Sequence, residues 1–289
     1  NDVIVGSENA DTLKGLEGND EIQGREGDDI IEGDDGDDTL YGGDGNDTID
    51  GGAEIDVIYG GDGDDILKDN GDNTIYGEGG NDSITAASTE YSNKHKAGGR
   101  TGGLKVYGGD GDDYIEGPAF SLVDAGSGDD TVQLGLGNGY HLTGFGLEGG
   151  DGYDVLIDSG YGNGSPSSTG SWSGSFDWTL VNGFEEIRSQ GYSFYETFTD
   201  NVGQAGTTLK IRYGRGTFDF TAETDANIDF EGQTGSSYSQ VNFTGGSLAD
   251  TVKSHGSNDK LDGGFGNDTL EAGEGDDTLT GGAGNDTLD

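Results

Sequence analysis

A nine-residue period governs residues 33–68, which divide without remainder into GDDGDDTLY, GGDGNDTID, GGAEIDVIY and GGDGDDILK. Every block opens on Gly, carries Asp at its sixth position and sets an aliphatic residue at its eighth. The Asp residues are Asp38, Asp47, Asp56 and Asp65; the aliphatic ones are Leu40, Ile49, Ile58 and Leu67. Such a period implies stacked copies of one small unit, because no single copy buries its own apolar face. Within a block the glycines permit positive φ and leave room for a tight turn. The last three residues, such as Thr48-Ile49-Asp50, favour an extended segment with one side chain inward and two outward.

Stacking creates an electrostatic conflict. Copies of the turn place Asp carboxylates at roughly 4.8 Å, the spacing of neighbouring strands. Two unit charges at that distance repel by about 1 kcal/mol in water and about 3–4 kcal/mol at an effective dielectric of about 20. Summed along an edge, this exceeds the whole stability of a domain, about 5–15 kcal/mol. A dication between the turns removes the conflict. Carboxylates and turn carbonyls are hard oxygen donors, which points to Ca²⁺. The composition agrees: 289 residues with 58 acidic against 13 basic, a net charge of −45, 61 Gly, 2 Pro and no Cys or Met. That charge with 29% hydrophobic residues ordinarily marks a disordered chain. The expectation is disorder without metal and folding with it, since binding free energy serves as folding free energy. The acidity repels nucleic acid and anionic membranes. Lack of Cys removes disulfides and zinc–thiolate sites, and no apolar run is long enough to span a bilayer.

Gly42-Gly43-Asp44-Gly45-Asn46-Asp47-Thr48-Ile49-Asp50 and Gly281-Gly282-Ala283-Gly284-Asn285-Asp286-Thr287-Leu288-Asp289 match G-G-x-G-x-D-x-U-x at every defined position. This pattern resembles the nonapeptide of RTX (repeat-in-toxin) proteins. The resemblance implies an all-β fold, a right-handed parallel β-roll or β-solenoid with calcium-binding turns, here interrupted by an aromatic-rich β segment. It implies that successive blocks alternate between two parallel sheets and that each Ca²⁺ lies between a turn and the turn two blocks later. Asp29 would then share an ion with Asp47, Asp38 with Asp56, and Asp47 with Asp65, with carbonyls completing each shell. It also implies export through a type I secretion system and folding outside the cell.

In chain order, the candidate metal ligands are Asp11, Asp20, Asp29, Asp38, Asp47, Asp56, Asp65, Asp82, Asp113, Asp130 and Asp154, then Asp250, Asp259, Asp268, Asp277 and Asp286. The block GSENADTLK keeps Asp11 but lacks two glycines, so its turn is expected to be looser and its ion weaker. The segment DNGDNTIY at 69–76 is one residue short; with Thr74 standing where Asp belongs, a missing or distorted site is expected. Residues 86–107 read as a loop carrying Lys94, Lys96, Arg100 and Lys105, a solvated excursion folding back on the acidic edge, with a docking site for an anionic glycan or partner as the alternative. The repeat is expected to skip residues 117–124, and residues 134–148 read as Gly-rich and irregular. The expected organisation is a β-roll over 1–157, an irregular β segment over 158–244 and a second β-roll over 245–289. The middle segment shows period-2 runs such as Leu209-x-Ile211-x-Tyr213 and Ile228-x-Phe230. It reads as wider, metal-free coils, with a small β-sandwich as the alternative.

Catalytic patterns are absent. Only His95, His141 and His255 occur, with no H-E-x-x-H and no G-x-S-x-G. The G-x-G-x-x-G at 144–149 lies in a Gly-rich repeat without a βαβ pattern and reads as structural. No Glu closes a twelve-residue acidic loop as in an EF-hand. Trp172, Trp178, Tyr192, Phe194 and Tyr195 read as core and cross-strand pairs before they read as a sugar-stacking platform. The expectation is therefore no enzyme in this chain but an extracellular calcium-binding structural module of an adhesin, surface-layer or filament protein. The alternative is the accessory repeat domain of a secreted protease, lipase or alginate epimerase. Candidate partners are calcium ions, a glycan or cell-surface ligand, and other copies of the chain. Asn1 is not a start residue, so the chain reads as a mature or excised piece. Uncapped repeat ends invite head-to-tail association, and truncation of a longer rod explains them equally.

Overall fold

The structure, a computed structural model, describes residues 1–69, 73–86, 104–117, 122–134, 146–158, 181–182, 184, 186–189, 194–197, 208–213, 216–219, 227–232 and 240–289. Regular structure among the described residues is all β, with parallel pairing. The described residues of Asn1–Gly135 and Phe145–Gly152 form one compact unit, and those of Tyr153–Asp289 belong to a second.

In the first unit, successive blocks alternate between two parallel sheets, so each strand pairs with the strand two blocks away. One sheet runs Val3–Val5, Glu21–Glu26, Thr39–Asp44, Val57–Asp62, Thr74–Gly79, Lys105–Asp110, Leu122–Ser127, Gly146–Asp151. The other runs Thr12–Glu17, Ile30–Asp35, Thr48–Asp50, Ile66–Asp69, Ser83–Ala86, Tyr114–Gly117, Thr131–Leu134. The eighth-position residues become two apolar files. Ile22, Leu40, Ile58, Ile75, Val106 and Val123 stand in register in the first sheet. Leu13, Ile31, Ile49, Leu67, Ile84, Ile115 and Val132 do so in the second. From Ile22 to Val132 all are fully buried except Leu13. The expected loops are shorter than the composition suggests. Lys105–Tyr107, Leu122–Asp124 and Gly146–Glu148 all lie in strands, because Lys105-Val106-Tyr107 repeats the out-in-out pattern of Val57-Ile58-Tyr59. Lys94, Lys96 and Arg100 lie outside the described residues.

Outside the first sheet, Tyr41, Tyr59, Tyr76 and Tyr107 form one column. Successive ring centroids are 4.9, 4.8 and 4.8 Å apart, and the planes lie within 8° of parallel. Parallel in-register pairing forces this spacing, since each Tyr follows its core residue by one position. An aromatic pair contributes about 0.5–1.5 kcal/mol beyond its buried area. Tyr59→Ala breaks two such pairs and is expected to cost about 1–3 kcal/mol, read as a lowered midpoint for thermal unfolding in Ca²⁺.

The second unit also pairs in parallel. Val155–Asp158, Glu186–Ser189, Thr208–Tyr213, Asn227–Gly232, Thr251–Lys253, Thr269–Glu271 and Thr287–Leu288 make one series. Phe194–Thr197, Gly216–Asp219, Val241–Thr244, Lys260–Asp262 and Thr278–Thr280 make the other. Its strands bury different numbers of residues. Leu209 with Ile211, and Ile228 with Phe230, sink two side chains per strand, whereas the short strands bury one each, Val252, Leu261 and Leu270. Phe230 and Phe243 meet at 5.7 Å with tilted rings and fill the wider core. Trp172, Trp178 and Tyr192 lie outside the described residues, and Phe194 and Tyr195 are described as strand backbone only.

Candidate metal centre

The turns are built by glycine. Gly45 has φ +131°, and a Cβ there would lie 2.6 Å from the Gly27 carbonyl carbon one coil below. This close approach admits no side chain. The turns therefore stack directly, and their sixth-position carboxylates line up along two edges.

Each carboxylate is anchored in the same way. Its Oδ1 accepts a hydrogen bond from the main-chain N–H of the residue one coil earlier. On one edge Asp11, Asp29, Asp47, Asp65, Asp82 and Asp113 donate in turn to Asp29, Asp47, Asp65, Asp82, Asp113 and Asp130, at 2.7–2.8 Å. On the other, Asp20 and Asp38 donate to Asp38 and Asp56 at 2.7 and 2.8 Å. In the second unit, Asp250, Asp259 and Asp268 donate to Asp268, Asp277 and Asp286 at 2.8–3.0 Å. Every pair proposed by the resemblance is thus brought together, Asp29 with Asp47, Asp38 with Asp56 and Asp47 with Asp65.

The second carboxylate oxygen decides what the edges can hold. Oδ2 of Asp20, Asp29, Asp38, Asp47, Asp56, Asp65, Asp82, Asp113 and Asp268 is buried and has no hydrogen-bond donor. These residues are at most 3% exposed. A buried carboxylate oxygen without a partner is costly. All but Asp56 face a carbonyl oxygen: a Cβ on Gly15 would lie 2.6 Å from the Gly33 carbonyl oxygen and 2.8 Å from Asp20 Oδ2. The Gly24, Gly33, Gly42, Gly60, Gly77 and Gly263 positions repeat this arrangement. Orphaned carboxylate oxygens beside carbonyl oxygens, in cradles that a Cβ would fill, suit a hard divalent cation. Among the described residues no three His, Cys, Asp or Glu side chains form a metal cluster by themselves, so main-chain carbonyls have to share the shell. A Ca²⁺ held there would supply the positive charge that these cradles lack.

Without a cation the carboxyls keep their protons to higher pH than an exposed Asp does. Burial is the main cause, raising Asp47, Asp82 and Asp130 to about 6, Asp56 and Asp65 to about 7, and Asp113 to about 8. The main-chain N–H bonds pull the other way, and the adjacent carboxylates, Asp29 beside Asp47 and Asp38 beside Asp56, push up again. Burial raises Asp29, Asp38, Asp259 and Asp268 in the same direction.

The remaining predicted residues differ from this norm. Asp11 is half-buried, and its Oδ2 accepts from Ser7 N–H at 2.6 Å. Asp277 and Asp286 are half-buried too. Asp154 is buried. Asp250 and Asp259 accept from Ile228 and Val241, residues of coils that carry no sixth-position Asp. One expectation is corrected. Thr74 does not stand in the Asp position; it opens the strand Thr74–Gly79 opposite Val57. Asn73 holds the Asp position, fully buried, and accepts from Asp56 N–H at 2.8 Å. Two residues the sequence reading missed therefore belong to this edge: Asn73, and Asp69, whose Oδ2 lies with Asp56 Oδ2 beside Gly51.

Coils without acid turns balance charge by side-chain pairs. Glu186 accepts from Tyr153 at 2.8 Å and from both Arg188 Nε at 2.8 Å and Nη2 at 3.1 Å. Arg212 meets Asp229 at 3.1 Å and Glu231 at 3.6 Å; in the acid-turn blocks that follow, Lys253 also meets Glu271, at 3.0 Å.

These features define a parallel β-solenoid with acid-lined turns. The RTX calcium-binding nonapeptide repeat model matches residues 5–40, 41–68, 69–88, 105–117, 121–140, 244–279 and 255–288, together more than half of the chain. The chain belongs to that family. RTX repeats bind calcium, and proteins carrying them are typically type I secreted, which implies an extracellular location. No curated protein matches the chain. No helix among the described residues is long and apolar enough to cross a membrane.

Proposed function

We propose that this chain is a non-catalytic, calcium-stiffened structural and binding module of an adhesin, surface-layer or filament protein, and that it folds on Ca²⁺ after export. The observation that carries this reading is the row of buried, partnerless Oδ2 atoms running from Asp20 to Asp113. Such a row serves as a scaffold: it repeats the same donor set at each coil, where a catalytic site would differentiate one set from the rest. On this reading the sixteen sixth-position Asp residues are the ligands, several ions bind per chain, and the two acid-turn regions are separated by coils held by ion pairs.

The test is a pair of measurements on the full chain. Ions are counted after equilibrium dialysis against Ca²⁺, and the loaded chain is assayed on a protein, a lipid ester and alginate. Several bound ions with no turnover support the proposal. Turnover that co-purifies with the chain overturns the non-catalytic assignment and favours a secreted enzyme; no bound calcium overturns the scaffold itself.

A further inference from the structure

The short segment 69–76 lies at the end of one acid edge, and its composition differs from every other rung. The edge runs Asp20, Asp38, Asp56, Asn73, and the next residue preceding a strand of that sheet is Leu104, which is buried. Asn73 keeps the structural half of the Asp role, because its Oδ1 accepts from Asp56 N–H. It lacks the other half. Its Nδ2 is buried without a partner, where the regular rungs present a carboxylate oxygen. An amide nitrogen carries no lone pair for a metal.

Asp69 answers this loss. It stands eighteen residues after Gly51, where the register otherwise places the glycine whose carbonyl oxygen faces the ladder. A Cβ on Gly51 would lie 2.7 Å from Asp69 Oδ2 and 2.9 Å from Asp56 Oδ2. Both carboxylate oxygens thus sit within 2.9 Å of a single point. Asp56 is fully buried and Asp69 is 2% exposed, and Asp56 Oδ2 has no hydrogen-bond donor. At the regular rungs that point lies between one carboxylate oxygen and one carbonyl oxygen. Here a second carboxylate has replaced the carbonyl, so the charge removed at Asn73 returns from a different backbone position.

We propose that Asp56 and Asp69 together bind a divalent cation of the Ca²⁺ class, a site outside the nonapeptide donor pattern that closes this edge. The site rests on the reading that the acid turns hold calcium. Two buried carboxylates meeting at one point repel without a cation, and hard oxygen donors select Ca²⁺ over softer ions.

The experiment counts ions and measures Ca²⁺ affinity on the full chain, cleared of metal and titrated against a chromophoric chelator, with far-UV circular dichroism as the folding control. Three chains are compared: the parent, Asp69→Asn, and the double variant Asp69→Gly with Asn73→Asp, which restores the opening Gly and the Asp before the strand within the same eight residues. Asp69→Asn is expected to lose one ion from the titration, or to bind it at least about tenfold more weakly. The double variant is expected to regain it. An unchanged count and affinity in Asp69→Asn overturns the site, as a carboxylate pair sharing one proton would give. If Asp69→Asn does not fold in saturating Ca²⁺, the double variant decides: recovery of fold and ion count supports the site, and failure to recover overturns it. A parent chain that takes up no Ca²⁺ refutes the broader reading instead, so the two failures are distinguishable.

Discussion

Stripped of divalent ions at neutral pH, the chain is expected to lose its β signal and expand to coil, and to regain both on adding Ca²⁺. The cause is cumulative. Among the described residues nine buried carboxylates have an oxygen with no donor, in a chain whose net charge is −45. Leaving even one such group uncompensated costs about 1–3 kcal/mol, while a domain is stable by only about 5–15 kcal/mol. The apolar files cannot absorb the deficit, because from Ile22 to Leu67 each block buries one aliphatic side chain, worth about 1.5–3 kcal/mol. Mg²⁺ is expected to substitute poorly, since it prefers a tight octahedral shell and retains its waters. Far-UV circular dichroism during chelation and Ca²⁺ re-addition, with small-angle scattering for dimensions, makes the measurement. A chain that stays equally ordered after exhaustive chelation refutes the account.

The sequence carried the architecture because each structural duty falls on one fixed position in nine. The aliphatic residue at the eighth position had to point inward, and Ile22 through Val132 do. The sixth-position Asp had to meet its copy two blocks on, and the Oδ1 bonds show that it does. What escaped was whatever depends on a deletion. In DNGDNTIY one residue is lost, and counting forward from Gly60 puts Thr74 in the Asp position. Counting back from the strand Thr74-Ile75-Tyr76, which repeats Thr39-Leu40-Tyr41, puts Asn73 there. Packing selects the second register, because core burial of Ile75 is worth more than turn phase. The role of Asp69 was hidden for another reason: it depends on Gly51 in a different coil, a contact no local window contains. The tyrosine column was visible as a ninth-position Tyr in alternate blocks. Its meaning needed the knowledge that alternate blocks share a sheet.

Acidification is expected to act on the ion-free chain in the opposite sense to its effect on the ion-loaded one. In the fold, burial raises Asp47, Asp82 and Asp130 to about 6, Asp56 and Asp65 to about 7 and Asp113 to about 8, from a value of 3.8. Between those limits the folded chain holds more protons than the unfolded one. Stability of the ion-free fold is therefore greatest below the unfolded value and falls as pH rises through about 6 to 8. One pKa unit corresponds to about 1.4 kcal/mol, so even a fraction of these shifts, shared by six groups, rivals the stability of a domain. In metal-free buffer the β signal is expected to grow as pH is lowered from 8 to 5. Calcium reverses the trend, because only the deprotonated carboxylates bind it. Ca²⁺ affinity is then expected to fall over the same interval, and Ca²⁺ addition near pH 6 is expected to release protons, measurable by pH-stat. An ion-free chain more ordered at pH 8 than at pH 5 would show that the buried carboxylates are not what holds the empty solenoid open.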